Sequence, residues 1–414
     1  MFEIFAGLMA LSAILSFINY KFLKLPSGIG VMILAIASSF LLWSSQWINP
    51  EFFLSACQIV EELDFKSLVL NFLLSFLLFA GAIHVNLSHI LQEKTSVISF
   101  ATFGVVFSTL FIGVGVYLFA QWIGVTISLI EALVFGALVS PTDPVAVLSL
   151  LKKAKVKEDV EIKIVGESLF NDGVGILLFI TLVMLLPSSG EHAQNSFSLS
   201  SVFTHFIREA GGGLLLGFIL GWLGSVFSKY SEEEAQVLTH ITIAIVMGGY
   251  ALSEAIQVSG PLAMVVAGLM MGKSLQDCAL NDTVRFSLRN FWKIIDEIFN
   301  AVLFLLIGLE VLSVEFNWIH LLMGFTAIIL MLVSRYGGIW ITNLFLTKSH
   351  RSDRKSALIL TWAGLRGGLS MALALSLPEG EWRTGLVFMT YVVVLFSILV
   401  QGLSIGKLVK RLYT

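Results

Sequence analysis

Two acidic residues lie in the middle of long apolar stretches of this sequence. Asp143 follows Ser-Pro-Thr at 140–142, and Asp172 ends the segment Glu-Ser-Leu-Phe-Asn-Asp at 167–172. An ionisable side chain at membrane depth is unfavourable by roughly a few kcal/mol or more, so residues of this kind usually have a function. The neighbouring hydroxyls of Thr142 and Ser168 add hard oxygen ligands. This combination predicts a binding site for a cation or a proton.

The composition places these stretches in a membrane. The chain has 414 residues, of which 57% are hydrophobic and 13% are charged, and its mean hydropathy is +0.91. A soluble domain is about 45–50% apolar and about 25% charged. No P-loop, dinucleotide fingerprint or basic aromatic cluster occurs, so we expect neither a cofactor nor nucleic acid as a partner. The composition therefore predicts an all-α polytopic membrane protein whose outer surface contacts lipid.

Thirteen apolar runs of the chain are candidate membrane-spanning helices. An apolar helix of about 20 residues crosses the hydrocarbon core of a bilayer. The ninth run is short and begins at a Gly-Pro pair. The predicted spans lie near 3–20, 27–44, 66–84, 97–120, 129–150, 162–186, 200–228, 236–256, 260–273, 290–312, 318–346, 357–377 and 385–406.

The distribution of Lys and Arg predicts the orientation of these spans. Cytoplasmic loops are enriched in basic residues. With the C-terminus in the cytoplasm and the N-terminus outside, 20 of the 25 basic residues fall inside, 3 fall outside and 2 remain at membrane depth. We therefore expect a multi-pass protein of the cell (inner) membrane. Its first span is predicted to be retained, because basic residues follow that apolar run instead of preceding it.

The fifth predicted span is interrupted by two prolines, Pro141 and Pro144. Each lacks an N–H, so the carbonyls of Ala137 and Ser140 lose their helical hydrogen bonds. Unwound backbone in a membrane persists only where protein or a water-filled cavity satisfies it, and transporters use such carbonyls to hold small cations. A simple proline kink is the alternative, but a kink does not require Asp143.

The sixth span presents two polar stripes. Residues four apart share one face of a helix. Ser168 and Asp172 form one stripe, which suits a bare cation, while Glu167 and Asn171 form the next. A buried glutamate needs a positive partner. The alternative for Glu167 and Asn171 is that they only hold helices together.

The two basic residues at membrane depth are Arg335 and Arg366. Arg366 precedes Gly367 and Gly368, a glycine-rich stretch that is predicted to break the twelfth span. We expect Arg335 to pair with Glu167 and Arg366 to stabilise the broken helix, although the sequence leaves the choice of arginine open. Spans 4–6 and 11–13 are triplets an odd number of spans apart, which predicts inverted repeats with a site between two broken helices.

These motifs together resemble the NhaP/NHE branch of the monovalent cation–proton antiporters, and the resemblance covers most of the chain. It implies an antiporter and not an enzyme, with Na⁺ and H⁺ as the transported ions and Na⁺ bound at Asp143 and Asp172. It further implies that Asp172 exchanges a proton for the cation, that Asn171 bridges Glu167 and the arginine, and that Thr142, Ser168 and Glu167 assist in binding the cation. The residues that carry the resemblance are Thr142-Asp143-Pro144, Glu167-Ser168, Asn171-Asp172, Arg335, Gly364-Leu365-Arg366-Gly367-Gly368, Gly81-Ala82-Ile83-His84 and Gly260-Pro261.

The resemblance also implies a homodimer with two structural parts. Residues 1–96 and 187–313 would form a static dimerisation panel. Residues 97–186, with spans 4–6, and residues 314–414, with spans 11–13, would form a mobile ion-transport core. Having one acid in the pair Asn171-Asp172 favours one proton per cation, and hence electroneutral exchange.

Several alternatives stay open at this point. Li⁺ is a further possible substrate, and a K⁺/H⁺ antiporter would share the fold and the carboxylate chemistry. An intramembrane aspartyl protease also places two aspartates on adjacent spans, but its Tyr-Asp and Gly-x-Gly-Asp patterns are missing here. Histidines near span ends are candidate sensors for pH regulation. They are His84, His89, His205 and His240.

Overall fold

The structure, a computed structural model, is helical throughout the residues that it describes. These residues are 2–51, 67–143, 151, 156, 158–186, 199–230, 234–277, 282–312, 316–346 and 351–413. The α-helices in chain order are α1 (Phe2–Ile18), α2 (Ser27–Ser45), α3 (Leu74–Ile83), α4 (Leu87–Gln92), α5 (Lys94–Ser99), α6 (Val105–Trp122), α7 (Leu129–Leu138), α8 (Glu158–Val183), α9 (Leu199–Tyr230), α10 (Ala235–Ala255), α11 (Gly260–Asp277), α12 (Asp282–Leu309), α13 (Trp318–Phe345), α14 (Arg354–Ala363), α15 (Gly368–Leu375), α16 (Arg383–Leu395) and α17 (Gly402–Tyr413). Short π-helical segments extend α1 and α16 and precede α3 and α6, and a 3-10 turn follows α12.

Long apolar helices dominate the described part of the chain. Eight of them are long and apolar enough to cross a membrane, and the bent pair α14 and α15 makes a ninth. Two shorter apolar helices, Leu68–Ile83 and Leu129–Leu138, coincide with the third and fifth predicted spans. The fold class is therefore confirmed as an all-α membrane protein, while the number of thirteen spans stays a prediction.

The helix that contains the tenth predicted span begins before that span. Hydropathy placed its start near residue 290, whereas α12 begins at Asp282. The added turns are amphipathic: Val284 and Leu288 are buried, and Asp282 and Ser287 are exposed. Charged residues on the outer side of a helix lower its mean hydropathy without ending it, and this explains the difference.

Small residues set the distances between several helices. Gly213, Gly217 and Gly221 recur every four residues on α9, and a Cβ at any of them would collide with α11 or with Ser259 just before it. Small residues at this spacing let the backbones of membrane helices approach closely. The contact between α9 and α11 is accordingly the most extensive helix pair of the described structure.

The helices contact one another mainly within two groups. In one group, α2 packs against α12 and α3 packs against α11, which in turn contacts α9. In the other group, α6 packs against α7 and α13, and α13 packs against α16. Helix α8 belongs to the second group through α7 and touches α11 of the first. The two aspartates that the sequence singled out both lie in the second group, near this boundary.

Candidate cation-binding site

The first side of the site is the end of α7. Ser128 and Glu131 form a capping box at the start of the helix, with each side chain accepting a hydrogen bond from the other residue's backbone N–H. The helix ends at Leu138, ahead of Pro141. The Ser140 hydroxyl donates to the Gly136 carbonyl over 2.6 Å. Helix α7 thus ends where the sequence predicted a break, whereas Pro144 lies outside the described residues.

The second side of the site is the gap between α14 and α15. These helices are bent by 46° at a break that spans residues 364–367. The N–H of Asp143 donates to the carbonyl of Leu365 over 2.8 Å, so the two interrupted segments are joined directly. A Cβ at Gly367 would collide with the side chain of Asp143, and a Cβ at Gly364 would contact Thr142 and Arg335. Glycine is required at both positions because the segments cross at close range.

Helix α8 holds the interrupted segment through side-chain hydrogen bonds. The Ser168 hydroxyl donates to the Thr142 carbonyl over 2.6 Å. The Asn171 amide donates to the Thr142 hydroxyl over 2.7 Å, and its oxygen accepts from the Thr142 N–H over 3.4 Å. All three residues are buried. The described hydrogen bonds of Asn171 go to Thr142, and the bridge between Glu167 and an arginine that the resemblance implies stays a prediction.

Glu167 and Arg335 form a buried ion pair. Both terminal nitrogens of the Arg335 guanidinium donate to the Glu167 carboxylate, one of them over 2.8 Å. Glu167 is 1% exposed and Arg335 is 8% exposed. Bidentate geometry of this kind fixes both side chains. Both carboxylate oxygens of Glu167 accept from Arg335, and the predicted role of Glu167 as a cation ligand stays a prediction.

Arg366 is fully buried beside the same break. One terminal nitrogen donates to the Gly364 carbonyl over 2.9 Å, which supplies a partner for a backbone group that the unwound segment leaves open. Its Nε and its other terminal nitrogen have no hydrogen-bond partner among the described residues. Arg366 also lies within electrostatic range of Glu167 and Arg335. Its charge therefore acts on the Glu167–Arg335 pair.

Asp143 and Asp172 are the two carboxylates at the crossing. They interact electrostatically with each other, and both are half-buried, unlike the surrounding Thr142, Ser168 and Asn171. Helix α8 can approach the interrupted segment because Gly175 has no side chain in the path of the Pro141 ring. The carboxylates, the Ser168 hydroxyl and the Thr142 oxygens together offer the hard oxygen ligands that alkali and other hard cations prefer.

Sequence reasoning missed one further acid near this region. Asp296 lies midway along α12, is half-buried, and interacts electrostatically with Asp143. Its Oδ1 accepts a hydrogen bond from the Asn300 amide over 3.0 Å. The signal in the sequence was an aspartate followed four residues later by an asparagine on one helix face, both within the tenth predicted span.

Interrupted helices that cross at half-buried carboxylates are the architecture of ion-coupled membrane transporters. The model of the family described as "Sodium/hydrogen exchanger, transmembrane" matches residues 7–411. The chain is 40% identical to the Na⁺/H⁺ antiporter NhaP of Pseudomonas aeruginosa over 100% of its length and 97% of that protein. It is 32% identical to the Na⁺/H⁺ antiporter NhaH of Halobacillus aidingensis, over 86% of this chain and 85% of that protein. The chain belongs to the sodium/hydrogen exchanger family.

A solved structure shares the fold. It is that of the sodium proton antiporter MjNhaP1 from Methanocaldococcus jannaschii at pH 8. The match has a TM-score of 0.74 and covers 98% of this chain and 97% of that one, at 20% sequence identity. Such a likeness at low identity shows the fold alone, which this chain shares with that antiporter.

Proposed function

We propose that this chain exchanges Na⁺ for H⁺ across the cell membrane, with Asp172 binding the cation and the proton in alternation. The observation that supports this most strongly is the pair of half-buried carboxylates, Asp143 and Asp172, at the crossing of two interrupted helices. Family membership and the names of the relatives agree with Na⁺ and H⁺ as the transported ions.

The charges of the crossing region favour a single bound Na⁺ or H⁺. Glu167 and Arg335 neutralise each other. The two negative charges of Asp143 and Asp172 and the one positive charge of Arg366 then remain, so the site residues of α8 and of the two interrupted segments sum to one negative charge. One Na⁺ or one H⁺ balances that charge, and the two compete for the same carboxylate. This one-for-one competition supports electroneutral exchange.

Coupling follows from the apolar surroundings of the site. Moving an unbalanced carboxylate through a membrane interior is unfavourable by a few kcal/mol or more. The site at Asp172 can therefore change from facing one side of the membrane to facing the other only when Na⁺ or H⁺ is bound. In this proposal, residues 97–186 and 314–414 move as the transport core against a dimerisation panel of residues 1–96 and 187–313. The protein acts as a homodimer with its N-terminus outside and its C-terminus in the cytoplasm.

The test is Asp172→Asn in proteoliposomes that contain a pH-sensitive dye. An imposed Na⁺ gradient should move protons in vesicles with the unchanged protein and should not do so with Asp172→Asn. Glu297→Gln is the matched control, because Glu297 is 61% exposed and pairs only loosely with Lys293, at 3.9 Å. Persistence of proton movement at the full rate in Asp172→Asn would show that another group carries the proton.

Two further measurements address the ion and the stoichiometry. Gradients of Na⁺, Li⁺ and K⁺ should be compared in the same vesicles, and we expect Na⁺ and Li⁺ to drive exchange. A response to K⁺ alone would favour the K⁺/H⁺ alternative. With the membrane potential clamped at different values, the exchange rate should stay constant; a strong voltage dependence would contradict one-for-one exchange.

A further inference from the structure

We propose that Asp296 is a third carboxylate of the cation pathway, which faces the Asp143–Asp172 pair from α12 and raises the apparent affinity of the site for Na⁺. This inference rests on the proposed function, since it assigns Asp296 a place in the same transport reaction. It concerns a residue that neither the motifs nor the two interrupted helices include.

The position of Asp296 on α12 directs it at the crossing. Leu303 lies seven residues further along α12 and packs against Gly368, where the second interrupted helix resumes. The contact is so close that a Cβ at Gly368 would collide with Leu303. Residues seven apart lie almost on one face of a helix, about 10 Å apart along its axis. The face of α12 that touches the break at Gly368 is therefore the face that carries Asp296, and this agrees with the electrostatic interaction between Asp296 and Asp143.

Asn300 holds the Asp296 carboxylate in place. Its amide nitrogen donates to Oδ1 of Asp296 over 3.0 Å and to the backbone carbonyl of the same residue over 2.8 Å. Asn300 is itself buried, with 6% exposure, and it lies on the stripe between Asp296 and Leu303. One turn before Asp296, the fully buried Trp292 packs on Phe79 of α3 and donates a hydrogen bond to Thr242 of α10. The carboxylate therefore sits on a rigid support.

The surroundings of Asp296 suit a group that acts on a passing cation. The carboxylate is half-buried, although residues 299–309 of the same helix are buried without interruption. Asp143 acts on it across the boundary between the helix groups, while Glu297 beside it on α12 is exposed and pairs with Lys293. An acid that only held helices together would be expected to face a cationic partner. A carboxylate that faces Asp143 is unfavourable unless a proton or a mobile cation compensates the charge of the pair.

The cation would pass along the boundary between the two helix groups. Helix α12 packs with α2 in one group, whereas Asp143 and Asp172 belong to the other. Asp296 therefore lies across that boundary from the site. A cation between the groups interacts with carboxylates from both sides before it reaches Asp172.

The test is the dependence of exchange rate on Na⁺ concentration in proteoliposomes of the full chain at fixed pH. At an effective dielectric constant of about 20, removal of one elementary charge about 10 Å away weakens cation binding roughly tenfold. Asp296→Asn should therefore raise the half-saturating Na⁺ concentration about tenfold while the maximal rate stays within about twofold. Asp296→Glu, which restores the charge, should recover most of the affinity. Glu297→Gln, the adjacent exposed acid, should leave both parameters unchanged.

Two results would overturn the inference. One is a half-saturating concentration in Asp296→Asn equal to that of the unchanged protein. The other is a loss of maximal rate with unchanged half-saturation, since that pattern would indicate a structural role only. Should Asp296→Asn fail to fold, Asn300→Ala releases the carboxylate and should raise the half-saturating concentration; an unchanged value there would equally refute the idea. Asp172→Asn is measured in parallel. If Asp172→Asn loses exchange while Asp296→Asn behaves like the unchanged protein, the inference about Asp296 fails and the proposed function does not.

Discussion

Replacing Glu167 by glutamine should destabilise the protein through Arg335. The substitution keeps the shape of the side chain but removes its charge, which leaves a guanidinium that is 8% exposed without its ionic partner. Breaking a buried ion pair by removing one partner lowers the free energy of unfolding by about 3–5 kcal/mol. The upper part of that range applies here because both terminal nitrogens of Arg335 bind the lost carboxylate.

Unfolding of the purified protein in detergent, followed by tryptophan fluorescence, measures this free energy. The matched control is Glu297→Gln, which breaks an exposed pair with Lys293 and should change the free energy of unfolding by less than about 1 kcal/mol. The double variant Glu167→Met/Arg335→Met removes both buried charges and should be more stable than Glu167→Gln. If Glu167→Gln lowers the free energy of unfolding no more than Glu297→Gln does, the ion pair is not what secures α13 to α8.

Two further substitutions test the interrupted helices. Gly367→Ala should abolish Na⁺-driven proton movement in proteoliposomes, because its methyl group displaces the Asp143 side chain, while Gly248→Ala, whose methyl group meets open space, should keep the normal rate. A normal rate in Gly367→Ala would mean that Asp143 need not hold this position. Ser128→Ala removes the capping box with Glu131 and should lower the free energy of unfolding by about 1 kcal/mol; no change in unfolding would show that the cap does not stabilise α7.

The interruptions were predictable because they depend on covalent properties of a few residues. Pro141 has no N–H wherever the chain places it, and Gly367 and Gly368 have no side chain. Apolar stretch length likewise predicted an all-α membrane protein. These features act locally, so no knowledge of the neighbouring helices was needed.

Pairings between distant helices could not be chosen from the sequence. Glu167 had two possible arginines, and the structure pairs it with Arg335, because only the folded arrangement of the helices decides which guanidinium is near. The same holds for Asn171, whose amide could reach either Glu167 or Thr142 until the position of the interrupted segment was known.

Asp296 was missed for the same reason. Nothing in the pattern of the tenth predicted span indicated that this stretch would lie near Asp143, because that proximity depends on the packing of α12 against the second interrupted helix.

The hydrogen bond from the Asp143 N–H to the Leu365 carbonyl ties two opposed halves of the chain at a single point. A displacement of either interrupted helix must therefore carry the other with it, and the oxygen cage around the ion keeps one shape wherever it faces. An exchanger built this way should bind Na⁺ equally well from the cytoplasm and from outside. The Na⁺ and H⁺ gradients set the direction of net flow in any case, so this symmetry would show in equal half-saturating Na⁺ concentrations on the two sides.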